Sequence, residues 1–312
     1  MLTTPGVWGR RLAAASPWTS GYGAARSLLA AGTLLTLLAN SPEGLFRPAA
    51  DASPGPQCGD VAHAGLFCLM GRDGLGAARW IAVAILVAAL AGWRPRWTAI
   101  PHWWVSFSYA TSATIVDGGD QVTSVLTLLL LPVALLDGRR WHWSAPETGE
   151  PATGRAELRR LVSHSALLVI RLQVAVLYFH AAVAKFGVRE WADGTALHYW
   201  LNDPQFGAPG WLRPVVEPLV ASSWGVSALT WGTLLVELAL AFGLFLPRPA
   251  WRPLLVVGFA LHGGIAVVLG LPSFALAMFG ALLLHLRPPE PLRLPALPAV
   301  RLPRWRPAAV RA

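Results

Sequence analysis

Eight apolar stretches, separated by arginines, prolines and acidic turns, dominate the chain and restrict it to a lipid environment before any single residue is considered. They run 22–39, 77–93, 103–116, 122–136, 161–186, 226–246, 253–269 and 271–286. Lipid offers the backbone no hydrogen-bond partner, so a stretch that crosses the hydrocarbon core must be helical. The third, fourth and last are short and must borrow flanking residues or lie among neighbouring helices. With 54% of 312 residues hydrophobic and 13% charged, no water-soluble domain is needed to account for the composition. The expected fold is an all-α polytopic membrane protein of about eight transmembrane helices.

Arginine placement gives these spans a direction. Arg10 and Arg11 precede the first, Arg94 and Arg96 follow the second, Arg139, Arg140, Arg155, Arg159 and Arg160 follow the fourth, and Arg248 and Arg252 follow the sixth. The positive-inside rule puts those segments, and both termini, in the cytoplasm. Residues 1–21 are then a cytoplasmic N-terminus, 22–286 a transmembrane domain in the plasma membrane, and 287–312 a disordered basic tail rich in proline and arginine. Within the domain, 40–76 is an outer loop. Residues 187–225, with Trp191, Tyr199, Trp200, Trp211 and Trp224 among prolines and acids, are an outer cap at the membrane surface. A rival reading makes the first apolar run a cleaved signal peptide, but no clean A-x-A site follows it. The net charge of +9 lies in short clusters and forms no continuous basic face, so the lipid bilayer is the expected partner and nucleic acid is not.

Cys58 and Cys68 share the outer loop with Asp51, Asp60 and Asp73, and outside the cytoplasm two such thiols are expected to form a disulfide. A zinc site built on Cys58, His63 and Cys68 lacks both tight pair spacing and a clear fourth ligand, and no residue set is read as a metal centre.

Ionisable groups inside spans are costly and either pair or serve function. Counted from the ends of their spans, Arg171 and Glu237 both fall near mid-bilayer, and an Arg171–Glu237 ion pair is the structural expectation. His262, followed by Gly263 and Gly264, lies at similar depth. Of the 25 lysines and arginines, Lys185 alone is lysine. It emerges at the outer end of the fifth span, where the third delivers Asp117-Gly118-Gly119-Asp120-Gln121. Lys185 and the two carboxylates are therefore expected to meet, the glycines breaking the helix and exposing backbone groups. Alanines 181, 182 and 184 draw neighbouring helices close and enclose the amine, which desolvation equips as a general base. Snorkelling of Lys185 and an acidic hairpin at Asp117 and Asp120 are the inert alternatives. At 100° per residue Arg171, Tyr178 and Lys185 share a face, whereas His180 points about 140° away and contributes only through a distorted helix or a second wall.

The run Tyr178-Phe179-His180-Ala181-Ala182-Val183-Ala184-Lys185-Phe186, followed by Glu190-Trp191 and Asp193-Gly194-Thr195, resembles the membrane domain shared by vitamin K-dependent gamma-carboxylases and bacterial HTTM proteins, and within them the sporulation-delaying protein B (SdpB) type. Asp117-Gly118-Gly119-Asp120-Gln121, Trp141-His142-Trp143, the Cys58–Cys68 loop and the spans holding Glu237 and His262 add to it. In the carboxylases the lysine matching Lys185 is implicated as the base that deprotonates a reduced quinone, so the resemblance implies that role and that cofactor here. The large extracytoplasmic domain of the carboxylases is missing, and 187–225 is too short to replace it, which argues against glutamate carboxylation. The SdpB type implies a small SdpA-like partner protein and an exported, toxin-like peptide precursor.

The leading expectation is an outward-facing enzyme or enzyme subunit that matures an exported peptide. Lys185, Asp117, Asp120 and His180 are its catalytic candidates. Gly118, Gly119, Gln121, Tyr178, Trp191, Asp193 and His262 are expected to hold substrate or cofactor. The alternatives are a non-catalytic scaffold recruiting a processing enzyme, since no HExxH, nucleophile elbow or CxxC is present, and a transporter using Arg171, Glu237 and His262.

Overall fold

A computed structural model describes residues 14–48, 55–145 and 153–286. The expectations for Arg10, Arg11, Asp51 and the tail 287–312 lie outside the described residues. Each of the eight apolar stretches lies largely in helix, the third leaving it after Ser112. The eight longest helices among the described residues are α1 (Ser20–Ala39), α2 (Leu75–Ala91), α3 (Pro95–Ser112), α4 (Gly118–Leu129), α5 (Gly154–Lys185), α6 (Ser223–Ala241), α7 (Arg248–Val268) and α8 (Pro272–Leu286). Four of them, α1, α5, α7 and α6 with its short continuation to Leu244, are long and apolar enough to cross a membrane. Their starts are set by local chemistry. Thr19, Thr153 and Ser222 accept hydrogen bonds from the backbone amides of Tyr22, Ala156 and Gly225, satisfying donors that the first helical turn leaves free.

The bundle is organised around α1, which packs against α8 and α2. Its close approach to α8 depends on glycine at two crossings. A Cβ at Gly32 would lie 2.9 Å from the Ser273 carbonyl oxygen, and one at Gly280 would lie 3.0 Å from both the Ala25 oxygen and Leu29 Cγ. Small residues at such crossings let backbones touch where lipid supplies no hydrophobic drive for helix association. Around this seam a core gathers Trp18, Tyr22, Leu29, Leu126, Leu167, Ile170, Tyr178 and Leu282.

One end of the bundle carries the loop after α1. Cys58 and Cys68 are joined by a disulfide, Cα to Cα 5.6 Å, so their sulfurs are not available to the zinc alternative. The loop is fastened to the end of α3. The Gln57 amide donates to Ser112 O, the Leu66 amide to Ser108 Oγ, and the Trp104 indole to Ala64 O, each at 2.8 Å.

At the same end α4 begins, and here the structure corrects the expected broken turn. Asp117 is the N-cap of α4, its Oδ1 accepting from the amides of Gly119 at 2.6 Å and Asp120 at 3.0 Å. Asp120 Oδ2 accepts in return from the Asp117 amide at 3.2 Å, completing a capping box. Ser273 Oγ at the start of α8 donates to Asp117 Oδ2 at 3.2 Å. Gly119 is buried against α8, where a Cβ would stand 2.8 Å from Phe274 Cα. Gly119 therefore serves helix packing, and the aspartates serve the helix start.

α5 and α6 run antiparallel in a register that sequence counting cannot see. Phe179 stacks edge-on against Phe242, ring centres 6.3 Å apart, while Lys185 meets Glu237. The stretch of α6 from Ser223 to Glu237, about 20 Å at 1.5 Å per residue, thus extends beyond the end of α5. Short helices Arg189–Ala192, Ala196–Asn202 and Arg213–Ala221 fill that space and close on a small core of Ala208, Val216 and Val220.

Two substitutions test this packing. Gly280→Leu is expected to lower stability by roughly 1–3 kcal/mol through overpacking, read as a fall in the unfolding temperature in detergent. Asp117→Ala is expected to cost about 1 kcal/mol through the lost cap, and Asp117→Ser to restore most of it.

Candidate functional site

Lys185 is the last residue of α5 and does not reach the aspartates. Its Nζ lies 2.8 Å from each oxygen of the Glu237 carboxylate on α6, and 3.1 Å from the Ala181 carbonyl. The Trp191 ring from the cap stands over it with Nζ 5.3 Å from the ring centre. The two charged side chains are 25% and 11% exposed, so the pair is neither sealed nor free in solvent. Among the described residues no hydrogen bond or ion pair joins Lys185 to Asp117 or Asp120.

One helical repeat before Lys185 on the same face, Tyr178 is buried, and its hydroxyl lies 2.8 Å from His262 Nε2 on α7. The His262 ring also packs edge-on against Phe274, centres 5.6 Å apart, and its buried Nδ1 has no partner among the described residues. The i to i+7 spacing of Tyr178 and Lys185 brings α6, α7 and α5 to one wall. Lys185, Glu237, Tyr178, His262 and Trp191 form the site. Phe274, on the α8 turn that holds Asp117 through Ser273, stands between it and the aspartate cap.

The expected Arg171–Glu237 pair is not formed. Arg171 Nε donates to the His285 carbonyl at 2.7 Å, and its guanidinium lies 4.5 Å over the Trp251 ring. His285 Nε2 in turn meets the Leu240 carbonyl at 2.8 Å. The physical reason is the α5–α6 register, which sets Glu237 opposite the last turn of α5 while Arg171 lies near its middle.

Several other expected site residues stand apart. His180 is exposed on α5, on the face opposite the site, as the 100° rotation requires. Gly118 and Gln121 are exposed at the start of α4. Asp193 accepts from the Thr195 amide at 3.1 Å and its hydroxyl at 2.6 Å, shaping a turn of the cap. Among residues absent from the expected set, Phe274 and Ser273 had no sequence signal. The Asp-x-x-Asp spacing, in contrast, was a readable cap signature.

An HTTM domain model matches residues 148–288, the part of the chain that contributes all five site residues. The protein YitO of Bacillus subtilis (strain 168) is 43% identical over 276 residues, covering 88% of this chain and 87% of its own. Sporulation-delaying protein SdpB of the same organism is 35% identical over 275 residues, covering 88% of this chain and 83% of its own. No solved structure matches the chain. With its apolar helices, HTTM domain and end-to-end likeness to SdpB, this chain is a membrane protein of the HTTM family, SdpB type.

Proposed function

We propose that the protein is a multi-pass plasma-membrane protein of eight spans with both termini cytoplasmic, which matures an exported peptide at an outward-facing site centred on Lys185 and Glu237. The observation that carries this reading is the half-open Lys185–Glu237 pair beneath the aromatic cap, backed by the buried Tyr178–His262 contact. A lysine and a carboxylate held together and partly exposed offer a peptide both a donor and an acceptor. They can bind a peptide backbone or a charged side chain, and orient it for reaction.

In this arrangement the Lys185 ammonium has no free lone pair, so the Glu237 carboxylate is the proton-accepting member of the pair and Lys185 positions it. Tyr178 and His262 extend the polar path inward, with His262 Nδ1 a buried nitrogen open to a further partner. The family likeness implies a reduced quinone, which Trp191 and His262 would hold; the buried His262 Nδ1, without a partner among the described residues, is the polar atom here that suits a quinone oxygen or hydroxyl. Bound there, it would supply reducing equivalents. Asp117 and Asp120 have no chemical part in this reading. The SdpB likeness supports a small partner protein and a toxin-like precursor as the other components.

A purely structural ion pair is the second reading, favoured by the two short contacts between Lys185 and Glu237, and it makes the protein a scaffold for a separate processing enzyme. The readings separate by experiment. Lys185→Ala and Glu237→Gln are expected to reduce mature exported peptide at least tenfold, by mass spectrometry, with membrane levels of the protein unchanged. The charge-free pair Lys185→Met with Glu237→Leu removes the cost of an uncompensated charge and is expected to fold yet remain inactive. Full maturation by that double variant would establish the scaffold.

A further inference from the structure

At the end of the bundle opposite Lys185 lies a second polar cluster with no part in the proposed function. Arg26 on α1, His102 on α3 and Thr127 on α4 line a small cavity closed by Ala99, Leu130 and Ala134. Arg26 and His102 are 2% and 1% exposed. One arm of the guanidinium is used, Nη2 donating to Thr98 Oγ1 at 2.7 Å. Among the described residues the other arm, Nη1, has no partner, and neither has His102 Nε2.

A buried guanidinium normally has a counter-charge, and the nearby acid is already taken. Asp137 is fully buried and held by Arg139 through Nε at 2.9 Å, Nη2 at 2.8 Å and the backbone amide at 3.1 Å. Ser27, one residue from Arg26, is committed to the Leu90 carbonyl and to His142 Nε2. An arginine kept from water without a carboxylate is expensive, and the residues that carry this free N–H and this ring nitrogen line one small cavity, whose size favours a compact ligand. A neighbouring cleft on the Asp137 segment, lined by Arg94, Arg96 and Arg139, gives that end a positive approach.

We propose that this cavity binds a small monovalent inorganic anion, a halide of chloride size, held by Arg26 Nη1 and His102 Nε2. A single water fits the same volume but brings no charge to offset the guanidinium. The bound anion would lock α1, α3 and α4 together at this end.

The test uses full-length protein in detergent, unfolded thermally in chloride, bromide or gluconate at equal ionic strength, together with diffraction from crystals grown in bromide. A saturable rise of roughly 2–5 °C in either halide over gluconate is expected, lost in Arg26→Met and in His102→Gln. An anomalous bromide peak within hydrogen-bond reach of Arg26 is the second expected result. Equal melting in all three salts with a water or nothing in the cavity overturns the proposal. Should Arg26→Met fail to fold, His102→Gln and the wild-type bromide data decide it alone.

Discussion

The structure depends on the cost of placing charge in a medium that cannot solvate it. Lys185 and Glu237 answer that cost by meeting each other across two helices, and the meeting fixes how far α6 slides past α5. Because α6 then extends beyond the last turn of α5, the chain between them has a defined space to fill. The short helices of 187–225 fill it and bring Trp191 over the amine. Pairing, helix register and cap placement are thus one arrangement, and changing any of them alters the environment of Lys185.

The rest of the bundle supports that arrangement by close packing. Gly32 and Gly280 let α1 and α8 touch, Gly119 lets the start of α4 lie on Phe274, and Phe274 supports the His262 ring behind Tyr178. The aspartate cap therefore bears on the site indirectly, through the turn of α8 it holds by Ser273. Arg171 is satisfied independently at another level by His285 and Trp251, so Arg171 and Lys185 belong to separate polar clusters of α5.

Helix positions were legible in the sequence because hydropathy and the backbone's need for internal hydrogen bonds act locally. The Cys58–Cys68 disulfide was legible for a similar reason, two thiols sharing one polar loop. Tyr178 and Lys185 share a face through helical geometry alone, and the exposure of His180 follows from the same rotation. What could not be read was partner choice between helices. Assigning Glu237 to Arg171 assumed that all spans end in common planes, and the offset of α6 breaks that assumption. Bringing Lys185 to Asp117 assumed that residues reaching the same end of the bundle meet, whereas Phe274 occupies the space between. The two glycines at 118 and 119 suggested a loop for a ligand, whereas both open a helix and Gly119 serves its packing against α8.

Lys185 takes Glu237, and not Asp117, as its partner. A double-mutant cycle on unfolding in detergent tests it directly, comparing Lys185→Met with Glu237→Leu, and Lys185→Met with Asp117→Ser. A coupling of about 1 kcal/mol or more is expected for the first pair and independence within about 0.5 kcal/mol for the second. Additive effects of Lys185 and Glu237, or a coupling of Lys185 to Asp117 instead, would contradict it.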